Sequence, residues 1–175
     1  IVSNTVEGGI HKYNYSSWGK RTKKLANAFK SLNLNRGDKV GTLAWNGYRH
    51  LEIYYATSCS GLICHTLNPR LHPDQVSYIV NHAEDKVLCV DLNILPLIEK
   101  ASKNFKTVEA LVIMTNEKNM VKPNIKEGIK VICYEEFIND QSNKFVWPQF
   151  DEKTASSLCY TSGTTGNPKG VLYSH

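Results

Sequence analysis

Apolar residues recur along this chain in two rhythms that alternate. Trp18, Thr22, Leu25, Phe29 and Leu32 follow one another at steps of four and three, which puts them on one stripe of a helix. That helix is expected to open at Ser16 or Ser17, with Ser16 as its N-cap, and to end before the turn Asn35-Arg36-Gly37-Asp38. Residues 39–44 then read as a strand, 47–60 as a helix ending at Gly61, and 62–66 as a strand stopped by Asn68-Pro69. Pro73 opens a further helix whose buried stripe is Val76, Ile79, Val80 and Ala83. Residues 86–90, 108–114 and 130–134 read as strands, with a helix over 93 to about 103 and a short one over 135–140. The stretch 115–128 is polar and lysine-rich, which predicts a surface excursion, and residues 1–15 predict a short strand or irregular entry turning at Gly8-Gly9.

Strands that alternate with amphipathic helices imply an α/β fold, a parallel sheet with helices packed on it. In such folds ligands collect at the carboxyl ends of the strands. The final segment departs from the alternation. Ser157-Leu158-Cys159-Tyr160 and Val171-Leu172-Tyr173 are both β-prone, with a turn at Gly166-Asn167-Pro168 between them. The expected structure is strand, loop, strand.

The composition of that loop changes the picture most. It reads Thr161-Ser162-Gly163-Thr164-Thr165-Gly166-Asn167-Pro168-Lys169-Gly170. Glycines let main-chain N–H groups approach an anion closely, successive N–H groups form a concavity for it, hydroxyls add donors and a lysine supplies countercharge. These are the requirements for wrapping a polyphosphate. The spacing is not that of a Walker A loop, which needs four residues between its first Gly and a Gly-Lys-Ser/Thr, because Gly166 follows Gly163 after two and Lys169 precedes Gly170.

Tyr160 to Gly170 resembles the phosphate-binding signature of the adenylate-forming superfamily, which includes acyl-CoA synthetases, luciferases and peptide-synthetase adenylation domains. The segments Gly61 to Leu71 and Ile79 to Lys86 are similar to fatty-acyl-CoA synthetases of medium and long chain length. The resemblance implies that residues 1–175 are a partial N-terminal AMP-binding domain, the first sheet-and-helix layers of a large domain ending in a phosphate-binding β-hairpin. It implies an AMP-forming fatty-acid–CoA ligase, with ATP, Mg²⁺ and CoA as small-molecule requirements. Thr161, Ser162, Gly163, Thr164, Thr165, Gly166 and Lys169 are its expected ATP-binding residues, with Lys169 also catalytic and Thr161 the expected contact near Mg²⁺. A fragment of this extent is expected to be inactive alone, because the remaining binding segments of the family match nothing in it. Three alternatives stay open: a ligase for a short-chain or aryl acid or one that loads a carrier protein, a non-catalytic nucleotide-binding remnant, and an α/β scaffold with an inert hairpin.

Charge and cysteine content narrow the classes. The net charge is +5 with 41% hydrophobic residues, ordinary for a globular chain. Lys20, Arg21, Lys23 and Lys24 form the one dense basic cluster, expected to be a solvated helix face and too small for nucleic acid. The longest stretch without Asp, Glu, Lys or Arg is 53–69, which is interrupted by polar residues and does not read as a membrane span. Peripheral membrane contact and a homodimer stay open. The five cysteines lack Cys-x-x-Cys spacing and sit mostly in apolar runs, which points to a reducing compartment, the cytoplasm. Cys64 and His65 are neighbours on a strand and so face opposite ways, against a shared metal. Trp45 is expected in the core, Tyr54-Tyr55 in packing, Asn68-Pro69-Arg70 in a turn, and His175 in a structural or substrate-facing place at a strand end.

Overall fold

The computed structural model describes residues 1–161 and 167–175. Seven strands form one sheet: β3 (Lys39–Leu43), β4 (Ile63–Thr66), β5 (Asp85–Val90), β6 (Ala110–Ile113), β7 (Lys130–Cys133), β8 (Ala155–Thr161) and β9 (Lys169–Ser174). Their order across the sheet is β7-β6-β5-β3-β4-β8-β9, preceded in the chain by a separate two-stranded unit, β1 (Val2–Asn4) with β2 (Ile10–Lys12). β1 and β2 pair antiparallel; within the seven-stranded sheet every pairing up to β8 is parallel, and β8 with β9 is antiparallel. The α/β reading and the closing hairpin therefore stand.

The helices lie on both faces, as burial of a parallel sheet on two sides requires. The long α1 (Tyr15–Lys30), α2 (Tyr48–Ser58) and α5 (Tyr134–Asn139) supply one face, where Leu25, Phe29, Ile53 and Tyr134 pack on Val40, Cys64, Val87, Cys89 and Val112. On the other face Val76, Ile79 and Val80 of α3 (Pro73–Ala83) and Ile98 of α4 (Leu95–Ala101) cover Leu43, Leu88, Val90, Leu111 and Ile113. In β5 the partition is residue by residue: Val87 and Cys89 go to the first core, Leu88 and Val90 to the second. That is the two-residue period of a strand. No helix among the described residues is long and apolar enough to cross a membrane.

Three local expectations are corrected. The N-cap of α1 is Asn14, whose side-chain oxygen accepts from the Ser17 N–H at 2.9 Å, so the helix opens before Ser16. The helix expected over 93 to about 103 is shorter, with a 3₁₀ turn at each end, Leu92–Ile94 and Ser102–Asn104, around α4. Arg21 does not lie on a solvated face. Its Nε donates to Glu52 Oε1 at 2.7 Å, and its Nη1 and Nη2 donate to Glu135 at 2.9 and 3.1 Å. Glu52 is fully buried and also accepts from the hydroxyls of Tyr13 and Tyr134. This network ties α1, α2 and α5 together at a place where bare charge would be costly.

Candidate functional site: the mouth of the β8–β9 hairpin

The strand order sets where a crevice can form. The connection after β3 runs toward β4 and that after β5 runs toward β6, so the loops diverge between β3 and β5. This is the switch point at which doubly wound folds bind ligands, yet here a segment of the chain fills it. Glu7, from the turn between β1 and β2, reaches in to accept from Arg49 Nη1 at 2.7 Å and from the Thr115 hydroxyl at 3.0 Å. Asp91 Oδ2 accepts the Trp45 backbone N–H at 2.7 Å, and its carboxyl is pushed above the usual range by burial, with the Trp45 N–H opposing. A small cavity of about 40 Å³ lies beside Arg49 and Asp91.

The open part of the carboxyl edge lies beyond β4, where β8 ends. Thr161, the last residue of β8, faces Lys169, the first of β9, as a cross-strand pair, and both side chains are exposed. The two residues that sequence reasoning placed at the ends of the phosphate loop are thus brought together at its mouth. Ser162, Gly163, Thr164, Thr165 and Gly166 lie outside the described residues.

Alternation decides what each face of the hairpin carries. Cys159 shares a face with Thr161 and Lys169, and its sulfur lies 3.1 Å from the Thr66 hydroxyl on the side of α2. Cys64 is one strand inward, its thiol pushed up to about 12 by burial, so it behaves as a packing residue. Tyr160 and Leu158 point to the opposite face, toward α3. There the Tyr160 hydroxyl meets His82 Nδ1 at 2.5 Å, and its ring lies 5.3 Å from that of His65. Burial raises the Tyr160 phenol above its ordinary value, with Asp85 adding to the shift.

Beneath Tyr160, His65 Nδ1 donates to both carboxylate oxygens of Asp85, at 2.8 and 2.9 Å, and neither residue has any exposure. Burial pushes the Asp85 carboxyl up, and the hydrogen bond from His65 opposes that shift. Cys64 and His65 do face opposite ways, as their adjacency on a strand demands. The sequence signal for the His65–Asp85 pair was weak, a histidine and an aspartate in short strands that also carry Thr66 and Lys86. Partner identity needs the parallel register.

The remaining candidates separate. Trp45 is not core: it is 41% exposed, and its indole N–H donates to Asn93 Oδ1 at 3.2 Å. The reason is its place just past the end of β3, where the chain leaves the sheet. Arg70 serves the turn, its backbone N–H donating to Asn68 Oδ1 at 2.9 Å. Tyr54 lies beside His50 and Tyr55 meets Trp18 edge to face, so the packing reading of that pair holds although both are part exposed. His175 packs against Phe150 with ring centroids 4.8 Å apart. Among the described residues no group of three or more His, Cys, Asp or Glu is placed to hold a metal ion.

Comparison with known proteins decides the family. The sequence matches the family described as AMP-binding enzyme over residues 2–175. The chain belongs to this family. Among curated relatives it is 47% identical over 175 residues to the 3-methylmercaptopropionyl-CoA ligase of Ruegeria pomeroyi, covering all of this chain and 32% of that protein. It is 43% identical to the medium-chain-fatty-acid–CoA ligase of Ectopseudomonas oleovorans and 40% to the long-chain-fatty-acid–CoA ligase of Thermus thermophilus, covering 32% and 30% of them. The crystal structure of the anthranilate CoA ligase AuaEII with anthranoyl-AMP superposes with a TM-score of 0.83 at 26% identity, over 94% of this chain and 30% of that one. The chain thus spans about a third of the length of the relatives it matches.

Proposed function

We propose that this chain is the part of an AMP-forming acid–CoA ligase that grips the phosphates of ATP, as the first portion of its large AMP-binding domain. The observation that carries the reading is the hairpin mouth, where Thr161 and Lys169 face each other across two strands at the carboxyl edge of the sheet. A hydroxyl and an ammonium at the two ends of a glycine- and threonine-rich loop suit a triphosphate, and the ammonium offsets charge that builds on the departing pyrophosphate. Carboxylate oxygen attacks the α-phosphorus, the bond to the β-phosphate bridge breaks, and pyrophosphate leaves. The thiol of CoA then displaces AMP from the acyl carbon. Ser162, Gly163, Thr164, Thr165 and Gly166 supply the remaining loop donors in this account.

Magnesium fits in a limited way. The Thr161 hydroxyl is a single neutral oxygen that would contribute one ligand to a small hard cation, with nucleotide oxygens and water supplying others. When bound, the ion draws charge from the phosphate oxygens. Lys169 does the same from the protein side.

The substrate class follows the relatives that cover this chain fully, whose names specify aliphatic acids. The anthranilate ligase with its adenylate favours a second reading, an aryl acid. The free cysteines, three of them buried, support a cytoplasmic setting. Acetate, an aryl acid, octanoate and palmitate compared in ATP–pyrophosphate exchange by the intact protein test the assignment. Exchange is expected to be fastest with octanoate or palmitate. A preference for acetate or the aryl acid leaves adenylation in place and removes the fatty acid; no exchange with any acid removes adenylation.

A further inference from the structure

Tyr160 stands directly opposite Gly170 in the hairpin, one residue behind the Thr161–Lys169 pair. A Cβ built on Gly170 would come within 3.0 Å of Tyr160 Cζ, 3.1 Å of its Cε2 and 3.2 Å of Leu158 Cδ1. The tyrosine ring therefore lies across the glycine and occupies the place where a side chain on β9 would be. Aromatic cover of a cross-strand glycine pins the register of a hairpin. The ring is itself held at its hydroxyl and from beneath. Its hydroxyl is bonded to His82 Nδ1, His82 stacks on Tyr78 at 5.5 Å, and the buried His65 of the His65–Asp85 pair lies beneath it. The end of α3 that carries His82 is anchored in turn, since the neighbouring Asn81 side chain donates to Asn104 O and accepts from the Lys106 N–H, both at 2.8 Å.

We propose that Tyr160 is a positioning residue for the phosphate loop: laid over Gly170 and tied to His82, it fixes the separation and register of the loop's two stems, and so the place of Thr161 and Lys169. The inference rests on the adenylation reading, and it adds that the placing of the stems is set from α3, outside the hairpin. A stem shifted by about 1 Å misplaces groups that act on the leaving pyrophosphate, which costs about a hundredfold in rate.

The test uses the intact protein, with ATP–pyrophosphate exchange, octanoate as acid, and the unfolding midpoint measured alongside. Tyr160→Ala is expected to lower kcat/KM for ATP about a hundredfold while KM for octanoate stays within about twofold. Gly170→Ala pushes the same ring aside and is expected to cost about tenfold alone, yet little when added to Tyr160→Ala, because the two nearest contacts are gone and the Leu158 methyl at 3.2 Å has only to give slightly. Tyr160→Phe keeps the ring and loses the His82 bond, a loss of about fivefold with the midpoint unchanged. That variant decides the matter if Tyr160→Ala fails to fold. Wild-type kcat/KM for ATP in Tyr160→Phe, or costs of Gly170→Ala and Tyr160→Ala that multiply in the double variant, would overturn the positioning role. Absence of exchange in the unsubstituted protein would instead overturn the adenylation reading, and this inference with it.

Discussion

Gly41→Ala adds one methyl group at the centre of the sheet, on β3 between β4 and β5. The new Cβ would lie 2.4 Å from Leu88 Cδ2, 3.0 Å from Asp85 Oδ2 and 3.2 Å from Asp85 Cγ. Carbon atoms pack comfortably at about 3.5–4.0 Å, so the leucine methyl must retreat by more than an ångström. Leu88 has no exposure and sits inside the second core with Val90 and Leu111, so its movement disturbs close packing. Overpacking of this kind costs about 1–3 kcal/mol. Asp85 must yield as well, and its carboxylate holds His65 by bonds of 2.8 and 2.9 Å in a fully buried site. Weakening that charge-assisted contact adds about 1 kcal/mol or more. The combined cost is about 2–4 kcal/mol, which shortens protection of the β3, β4 and β5 amides about thirty- to a thousandfold when exchange follows the opening equilibrium. Peptide-resolved hydrogen exchange on the intact protein measures this directly. Protection in β3–β5 within about threefold of the unsubstituted protein would refute the claim that Gly41 is required for space.

Other expectations follow from the same contacts. Glu52→Ala, which strips Arg21, Tyr13 and Tyr134 of a shared buried acceptor, is expected to destabilise by about 3–5 kcal/mol in denaturant titration, whereas Glu52→Gln retains one acceptor oxygen and costs roughly half as much; equal losses would contradict the network. Burial raises the Glu135 carboxyl, but hydrogen bonds and charge from Arg21 and Arg49 outweigh it and hold the group below its ordinary 4.5. Its stabilisation is therefore complete above pH 4.5 and is lost as pH falls through the lower folded value, so the stability gap between wild type and Glu135→Gln should narrow in acid, and a gap that widens there would reverse the sign of the argument. Lys169→Ala should lower the exchange rate about thirty- to a thousandfold with little change in octanoate KM, and a near-normal rate would remove the lysine from pyrophosphate stabilisation.

Much of this fold was legible because each element carries its own punctuation. Pro73 and Gly61 mark a helix start and a helix end, and the step-of-four stripe from Trp18 to Phe29 leaves little choice. The hairpin was legible for the same reason, with β-prone runs on either side of a glycine-rich turn. What stayed hidden depends on which strands become neighbours. Glu7 reads as a polar residue in an irregular entry, yet it reaches Arg49 and Thr115 at the switch point. Arg21 sits in a lysine-rich run, and only the docking of α2 and α5 turns it inward. His65 and Asp85 lie 20 residues apart and meet only through the shared neighbour β3. Tyr160 and Gly170 both belonged to the recognised signature, but the ring-on-glycine contact exists only once the register is known.

The central claim is that a carboxylate attacks the α-phosphorus of ATP while the hairpin holds the outer phosphates. Octanoate labelled with ¹⁸O in both carboxylate oxygens, given to the intact protein with ATP, Mg²⁺ and CoA, tests it at the level of the bond formed. The attacking oxygen becomes bonded to phosphorus and stays there when the thiol displaces AMP from the acyl carbon. Mass spectrometry should therefore find one ¹⁸O in AMP and none in pyrophosphate. Unlabelled AMP, or label in orthophosphate with ADP as the other product, would contradict the account.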